Sequence, residues 1–266
     1  MDSEQLRAQL GSCRFSDLRW VPETGSTNED VLALARAGEP EGIVVVADHQ
    51  SAGRGRLGRS WEAPAGSSLL VSILCRPDLA PADAHLVTSA AGVAAVEAVR
   101  QVTGVVVRLK WPNDVVVERE RATRKLGGIL AESLLDGGRL GAVVVGIGIN
   151  VNWPSEFPDE LASIATALNH LTGVPVDREL LLVRFLQGFG HWYDQLGAPG
   201  GRAELVTRYR EECQTLDHEV RVELAGESFS GRAVGLTEEG HLLVVPDGAT
   251  DPRIIVAGDV VHLRQR

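Results

Sequence analysis

The 266-residue chain is 44% apolar and 23% charged, enough for one large folded domain with or without a small satellite. Its net charge of −10 argues against a nucleic-acid surface as its main business. Cys13, Cys75 and Cys213 are far apart, odd in number and without metal-ligand spacing, so buried thiols in a reducing compartment are expected rather than disulfides. The N-terminus shows no basic region followed by an apolar run, and no apolar run is long enough to cross a bilayer; a cytoplasmic protein without membrane contact is expected.

In chain order, Ser26-Thr27-Asn28-Glu29 has the spacing of a capping box ahead of an apolar run, which predicts a helix over 27–37. Residues 43–47 are a short β-branched run, a buried strand. Residues 53–59 follow directly and read Gly-Arg-Gly-Arg-Leu-Gly-Arg, with no acid between Ser51 and Ser60. Glycine lets a backbone approach a ligand closely, and arginine offers phosphate or carboxylate a planar fork of donors. The stretch therefore reads as a cationic clamp for a small anion, and a solvated surface loop is the plain alternative. Its glycines also meet the Gly-x-Gly-x-x-Gly pattern of dinucleotide folds. That pattern requires a helix immediately afterwards, and residues 60–66, with Pro64 among them, argue against one.

A strand is predicted over 68–74 and a long alanine-rich helix over 82–102, closed by Gly104. Strands over 105–109 and 115–117 flank Lys110-Trp111-Pro112-Asn113-Asp114. A hairpin joins 127–135 to 140–150 across Asp136-Gly137-Gly138. Helices are predicted over 159–171, 177–196 and 202–215. Near Leu216 the character changes, and short strands over 220–224, 229–234, 242–245, 254–256 and 260–263 suggest a small β-barrel. The predicted domains are 1–215 and 216–266.

Several motifs carry two readings. Pro112-Asn113-Asp114 is good turn chemistry, yet a strand-end Lys110 is placed to neutralise transferring phosphate, and Asp114 to hold magnesium or accept a proton. Lys125 ahead of Gly127-Gly128 is either a surface lysine at a strand start or a cation beside backbone on which a ligand lies flat. The glycines of 146–150 either relieve crowding in a sheet or lead to an Asn150 that reads a base edge. Ser26-Thr27-Asn28 presents hydroxyls and free N–H groups at a helix start. The seven histidines show no metal spacing, and there is no catalytic-triad signature.

Ser26-Thr27-Asn28, Gln50 with the 53–59 loop, 110–114, Lys125 with Gly127-Gly128, and 146–150 stand in the order seen in biotin protein ligases. The chain resembles that family over nearly its whole length. The resemblance implies an α+β fold: a catalytic domain shared with lipoate ligases and related to class II aminoacyl-tRNA synthetases, then a small C-terminal SH3-like β-barrel. It implies an AMP-forming biotin–[acetyl-CoA-carboxylase] ligase that uses ATP, biotin and Mg²⁺. The biotin site it implies comprises Ser26, Thr27, Asn28, Gln50, Gly53, Arg54, Gly55, Arg56, Lys125, Gly127 and Gly128. Arg54, Arg56, Arg59, Trp61, Lys110, Asn113 and Asn150 would bind ATP. Lys110, Lys125, Arg56 and Asp114 would be catalytic, with Asp114 also the metal ligand. The implied partner is the biotin carboxyl carrier domain of a biotin-dependent carboxylase, and monomers and homodimers both occur in the family. Few residues precede Ser26, so the ligase-only class without a helix-turn-helix module is expected. The 53–59 loop is expected to be mobile when empty and ordered over an adenylate. The rival readings are a lipoate–protein ligase-like enzyme and a non-catalytic biotin- or nucleotide-binding regulator.

Overall fold

The computed structural model describes residues 3–119, 122–154, 157–224 and 226–263. Its first part runs α1 (Ser3–Leu10), β1 (Asp17–Thr24), α2 (Thr27–Arg36), β2 (Ile43–Gln50), β3 (Ser68–Cys75), α3 (His85–Thr103), β4 (Arg108–Lys110), β5 (Asp114–Arg119), β6 (Ala122–Asp136) and β7 (Arg139–Asn150). Four helices follow: α4 (Asp159–Ala162), α5 (Leu168–Thr172), α6 (Arg178–Gln195) and α7 (Gly201–Glu212). The strands form one seven-stranded sheet in the order β1-β2-β3-β7-β6-β5-β4. Only the β1–β2 pair is parallel.

Alternation along the central strands decides what covers each face. On β3, Leu69, Val71 and Ile73 enter the main core beneath α3 and α6, as Val143, Val145, Ile147 and Ile149 do on β7. The opposite face offers Leu74, Ala142 and Val144 to Val31, Leu32 and Ala35 of α2. Ala90, Ala91, Ala94, Ala95 and Ala98 are all buried on α3, and these small side chains allow close packing; Ala94 faces Gly188 of α6. Gly104, at φ 71°, closes α3 as expected. The β6–β7 turn uses Gly137 and Gly138 at φ 54° and 80°, the left-handed pair a two-residue hairpin requires.

The second sheet contains β8 (Glu219–Leu224), β9 (Glu227–Leu236), β10 (Leu242–Pro246), β11 (Arg253–Ile255) and β12 (Asp259–His262), in the order β11-β10-β9-β8-β12. All five predicted C-terminal strands are present.

Elsewhere long-range bonds override local pattern. The predicted helix over 159–171 is two helices separated by extended backbone. There Lys125 N–H donates to Ile164 O at 2.7 Å and Thr166 N–H to Lys125 O at 2.9 Å. The helix predicted to Thr215 stops at Glu212, because Gln214 N–H donates to Leu109 O at 2.7 Å and Cys213 bridges Leu109. The strand over 105–109 shrinks to Arg108–Lys110, and α3 begins at His85 after a single 3-10 turn at Pro81–Asp83. Sequence reading missed α1 and β1. Both are short, and β1 carries charges and Pro22, which an edge strand tolerates.

Glu212 ties the end of α7 to α3 and β4. It is 2% exposed and accepts hydrogen bonds from Arg100 of α3 and Arg108 of β4, with Arg208 of its own helix 2.9 Å away. Burial opposes its charge, but the bonds from Arg100 and Arg108 and the surrounding positive charge outweigh it and hold the carboxyl below its usual range. A depressed folded-state pKa contributes stability above the unfolded value, about 4.3, and loses it as pH falls through the folded value. Glu212→Gln should lower the unfolding free energy by about 2–4 kcal/mol at neutral pH in urea titration, with the difference narrowing in acid.

Candidate functional site

The first turn of α2 stands over β3 and β7. Ser26 occupies the N-cap, but its side chain makes no capping bond, so the expected capping box is absent. Gln50, at the end of β2, takes over: its Oε1 accepts from Thr27 N–H at 2.8 Å and lies 2.9 Å from Thr27 Oγ1. Asn28 donates to Leu130 O and Glu132 Oε2 and lies 2.6 Å from Ser72 Oγ, which is also 2.8 Å from Thr27 Oγ1. Ser26, Thr27, Asn28 and Ser72 are all buried. Sequence reading passed over Ser72 and Glu132; the signal for Ser72 is a polar residue midway along an apolar strand.

Glycines make the floor. The β6–β7 register sets Gly128 opposite Gly148 and Leu130 opposite Gly146. A Cβ on Gly146 would overlap Asn28 Oδ1; one on Gly148 would lie 2.7 Å from the Trp61 ring; one on Gly128, 3.0 Å from Lys125 Nζ. Relief of crowding and a ligand surface are thus the same feature: missing side chains let Asn28, Trp61 and Lys125 close against bare backbone. Lys125 Nζ is 2.7 Å from Asp114 Oδ1 and 5.7 Å from the Trp61 ring centre. Trp61 Nε1 is buried without a hydrogen-bond partner.

These groups enclose a cavity of about 470 Å³, counting its open mouth. Ser26, Thr27, Asn28, Gln50, Arg54, Gly55, Arg56, Trp61, Asn113 and Lys125 line it, and Arg54 and Asn28 share the Glu132 carboxylate. Leu70, Val71, Gly128, Ile129, Leu130, Gly146, Ile147 and Gly148 supply the rest of the wall. Gly53 and Gly127 are spacers: a Cβ on Gly53 would strike Trp61 O, and one on Gly127 would approach Gly148 O to 2.7 Å. Lys110, Arg59, Asp114 and Asn150 do not line this cavity. Asn150 is buried, its Oδ1 3.3 Å from Ser68 Oγ and its Nδ2 donating to Thr166 O. A second cavity, about 1,050 Å³ with its open part, is lined by Arg119, Arg124, Phe157, Ala162, Ala165, Thr166 and His170.

The 53–59 loop is pinned at its base by an Arg54–Ser60 bridge, with one 3-10 turn, Arg56–Gly58, at its tip. Leu57 and Gly58 there take φ 58° and 74°. No helix follows, as expected. The loop has no acid of its own, but acids from elsewhere in the chain reach its arginines. Arg54 pairs with Glu29 and Glu132, and Arg59 with Asp259. Arg56 donates to Asn113 Oδ1 and Gly258 O. The acids are distant in sequence, which hid them.

Among the described residues, no group of three or more His, Cys, Asp or Glu is placed to hold a metal ion, and no helix is long and apolar enough to cross a membrane.

This fold and cavity define the biotin/lipoate ligase class of catalytic domain, joined to a C-terminal β-sheet. Residues 21–150 match the model of the Biotin/lipoate A/B protein ligase family, and residues 215–263 that of the Biotin protein ligase C terminal domain. The biotin--[acetyl-CoA-carboxylase] ligase of Mycobacterium tuberculosis is 36% identical, over 99% of this chain and 96% of that protein. The bifunctional ligase/repressor BirA of Bacillus subtilis is 34% identical over 82% of this chain; the match spans 66% of that longer relative. The structure of the biotin protein ligase from Aquifex aeolicus in complex with biotin and ATP superposes with a TM-score of 0.78 at 30% identity, covering 94% of this chain and all of that one. The chain belongs to the biotin protein ligase family.

Neighbouring glycines should respond differently to the same change. Gly127→Ala meets fixed backbone and should cost about 1–3 kcal/mol. Gly128→Ala meets the movable end of Lys125 and should leave stability within about 0.5 kcal/mol. Thermal unfolding of both variants checks this; equal losses would contradict the assignment of Gly127 as spacer and Gly128 as floor.

Proposed function

We propose that this chain is a biotin protein ligase. It activates biotin with ATP to biotinyl-5′-AMP and transfers the biotinyl group to a lysine of a biotin carboxyl carrier domain. The observation that carries this reading is the polarity of the cavity. Its neutral side chains, Thr27, Asn28 and Gln50, offer hydroxyl and amide groups suited to a ureido ring. Its cationic side chains, Arg56 and Lys125, suit a carboxylate that becomes an acyl-phosphate, and the glycine floor lies beneath. Lipoate has no hydrogen-bonding ring and offers these groups nothing in exchange for the bonds they make to one another. Structures of relatives hold biotin, and biotin with ATP.

Activation brings a carboxylate and a polyphosphate together, so fixed positive charge must offset their repulsion and stabilise the crowded phosphorus. Arg56 and Lys125 face the cavity for this purpose, with Asn113 holding Arg56 in place. Arg59 and Lys110 serve the outer phosphates, and Trp61 Nε1 is a free donor for the ligand. Asn150 takes a nucleotide role only by exchanging its bond to Thr166 O. Asp114 is committed to Lys125. Magnesium usually takes one or two carboxylates together with substrate phosphates, and Asp114 fits as such a single protein ligand, not as part of an all-protein cage. In the second step the carrier lysine must lose its proton; this reading gives Asp114 the acceptor role, although it pairs with Lys125 and does not line the cavity.

The same reading assigns residues 1–215 to catalysis and 216–266 to an SH3-like β-domain. It relates the catalytic domain to class II aminoacyl-tRNA synthetases and places the protein in the cytoplasm as a monomer or homodimer.

Biotin-dependent exchange of pyrophosphate into ATP tests the assignment. Wild-type protein should exchange with biotin and not with lipoate. Lys125→Ala should reduce exchange by about a hundredfold or more. Exchange without biotin, or undiminished exchange in Lys125→Ala, would refute the reading.

A further inference from the structure

The 53–59 loop bridges two sheets. Arg54 ties it to α2 and β6, whereas Arg56 and Arg59 tie it to the start of β12 in the C-terminal sheet. Arg59 Nη2 lies 2.6 Å from Asp259 Oδ2, and Arg56 Nη2 donates to Gly258 O at 3.1 Å. Asp259 is itself fixed, its Oδ1 accepting from Val260 N–H. Burial acts against its charge, but Arg59, Lys110 and Arg56 prevail and hold its carboxyl below the usual range. Gly258 sits at φ 158°, and a Cβ there would lie 2.8 Å from Leu224 Cδ2 and 3.1 Å from Glu223 O. Position 258 is therefore kept bare just ahead of β12, where it presents its carbonyl to Arg56.

We propose that Asp259, with the Gly258 carbonyl, is a latch on the C-terminal sheet that positions the arginine loop over the cavity and so governs how long an activated acyl-adenylate stays inside. Asp259 is a positioning residue: it touches Arg59, while Arg56 on the same short turn faces the cavity. Its consequence for retention rests on the ligase reading. Once the latch opens, water reaches the mixed anhydride and attacks its acyl carbon; the acyl–oxygen bond breaks, giving free acid and AMP instead of transfer.

Two readouts on the full-length protein separate the latch from the function. Amide exchange of residues 53–61 needs no activity. Asp259→Asn should speed it about fivefold while exchange of β3 stays unchanged, and Asp259→Glu should return it to within about twofold of wild type. Arg59→Ala should have the same effect, and the double variant should be no worse than either single one. Additive effects, accelerated exchange in β3, or an unchanged loop would overturn the latch. In the presence of biotin and ATP without carrier, Asp259→Asn should release AMP faster than wild type, with pyrophosphate exchange retained. Unchanged AMP release would overturn its control of retention. If wild-type protein shows no biotin-dependent exchange, the ligase reading fails while the amide-exchange result still decides the latch.

Discussion

The pairing of β6 with β7 is the constraint on which the site depends. Even-numbered positions of β7 face α2: Ala142 and Val144 lie in the core beneath it, and Gly146 and Gly148 lie beyond, under its first turn and under Trp61. The odd-numbered positions, Val143 to Ile149, belong to the main core under α3 and α6. A register slip of one residue would drive isoleucines into the cavity and glycines into the core, so hydrophobic burial and site geometry enforce the same alignment. The cavity is therefore the place where the core pattern stops supplying side chains on one face. It is not a hollow added to a finished fold.

Charge completes what the glycines open. The loop's three arginines are held by Glu29, Glu132 and Asp259, with Asn113 and a backbone carbonyl sharing Arg56. Lys125 is held by Asp114. Exposed pairs of this kind are individually weak, about 0–1 kcal/mol, so an anionic ligand can take over an arginine at little cost. Such a site is ordered by its own acids yet remains available to phosphate. The contrast is Glu212, whose three arginines surround a buried carboxylate between α3, β4 and α7 and serve stability.

Much of this was legible in sequence wherever the cause was local. Gly137-Gly138 specified its own turn, Gly104 its own cap, and the alanines of α3 their helix. The composition of 53–59 marked the loop, because three arginines among three glycines suit a ligand better than a core. What stayed hidden depended on residues far apart in the chain. Gln50 displaces the Ser26 cap from another strand. Lys125 breaks the helix predicted over 159–171 by bonding Ile164 and Thr166. Leu109 ends α7 early. Glu132, Ser72 and Asp259 gave no motif, since each acquires its role only when α2, β3 and β12 meet the loop and the glycine floor. The C-terminal strands were visible as elements; their hold on Arg56 and Arg59 was not.

A direct measurement of the central claim is competitive loading of a carrier. Equal concentrations of labelled biotin and labelled lipoate are offered to the full-length protein with ATP and a biotin carboxyl carrier domain. A cavity with hydrogen-bonding side chains, a glycine floor and cationic side chains predicts incorporation of biotin alone on the carrier lysine. Incorporation of lipoate at a comparable rate, or of neither acid, would contradict the account.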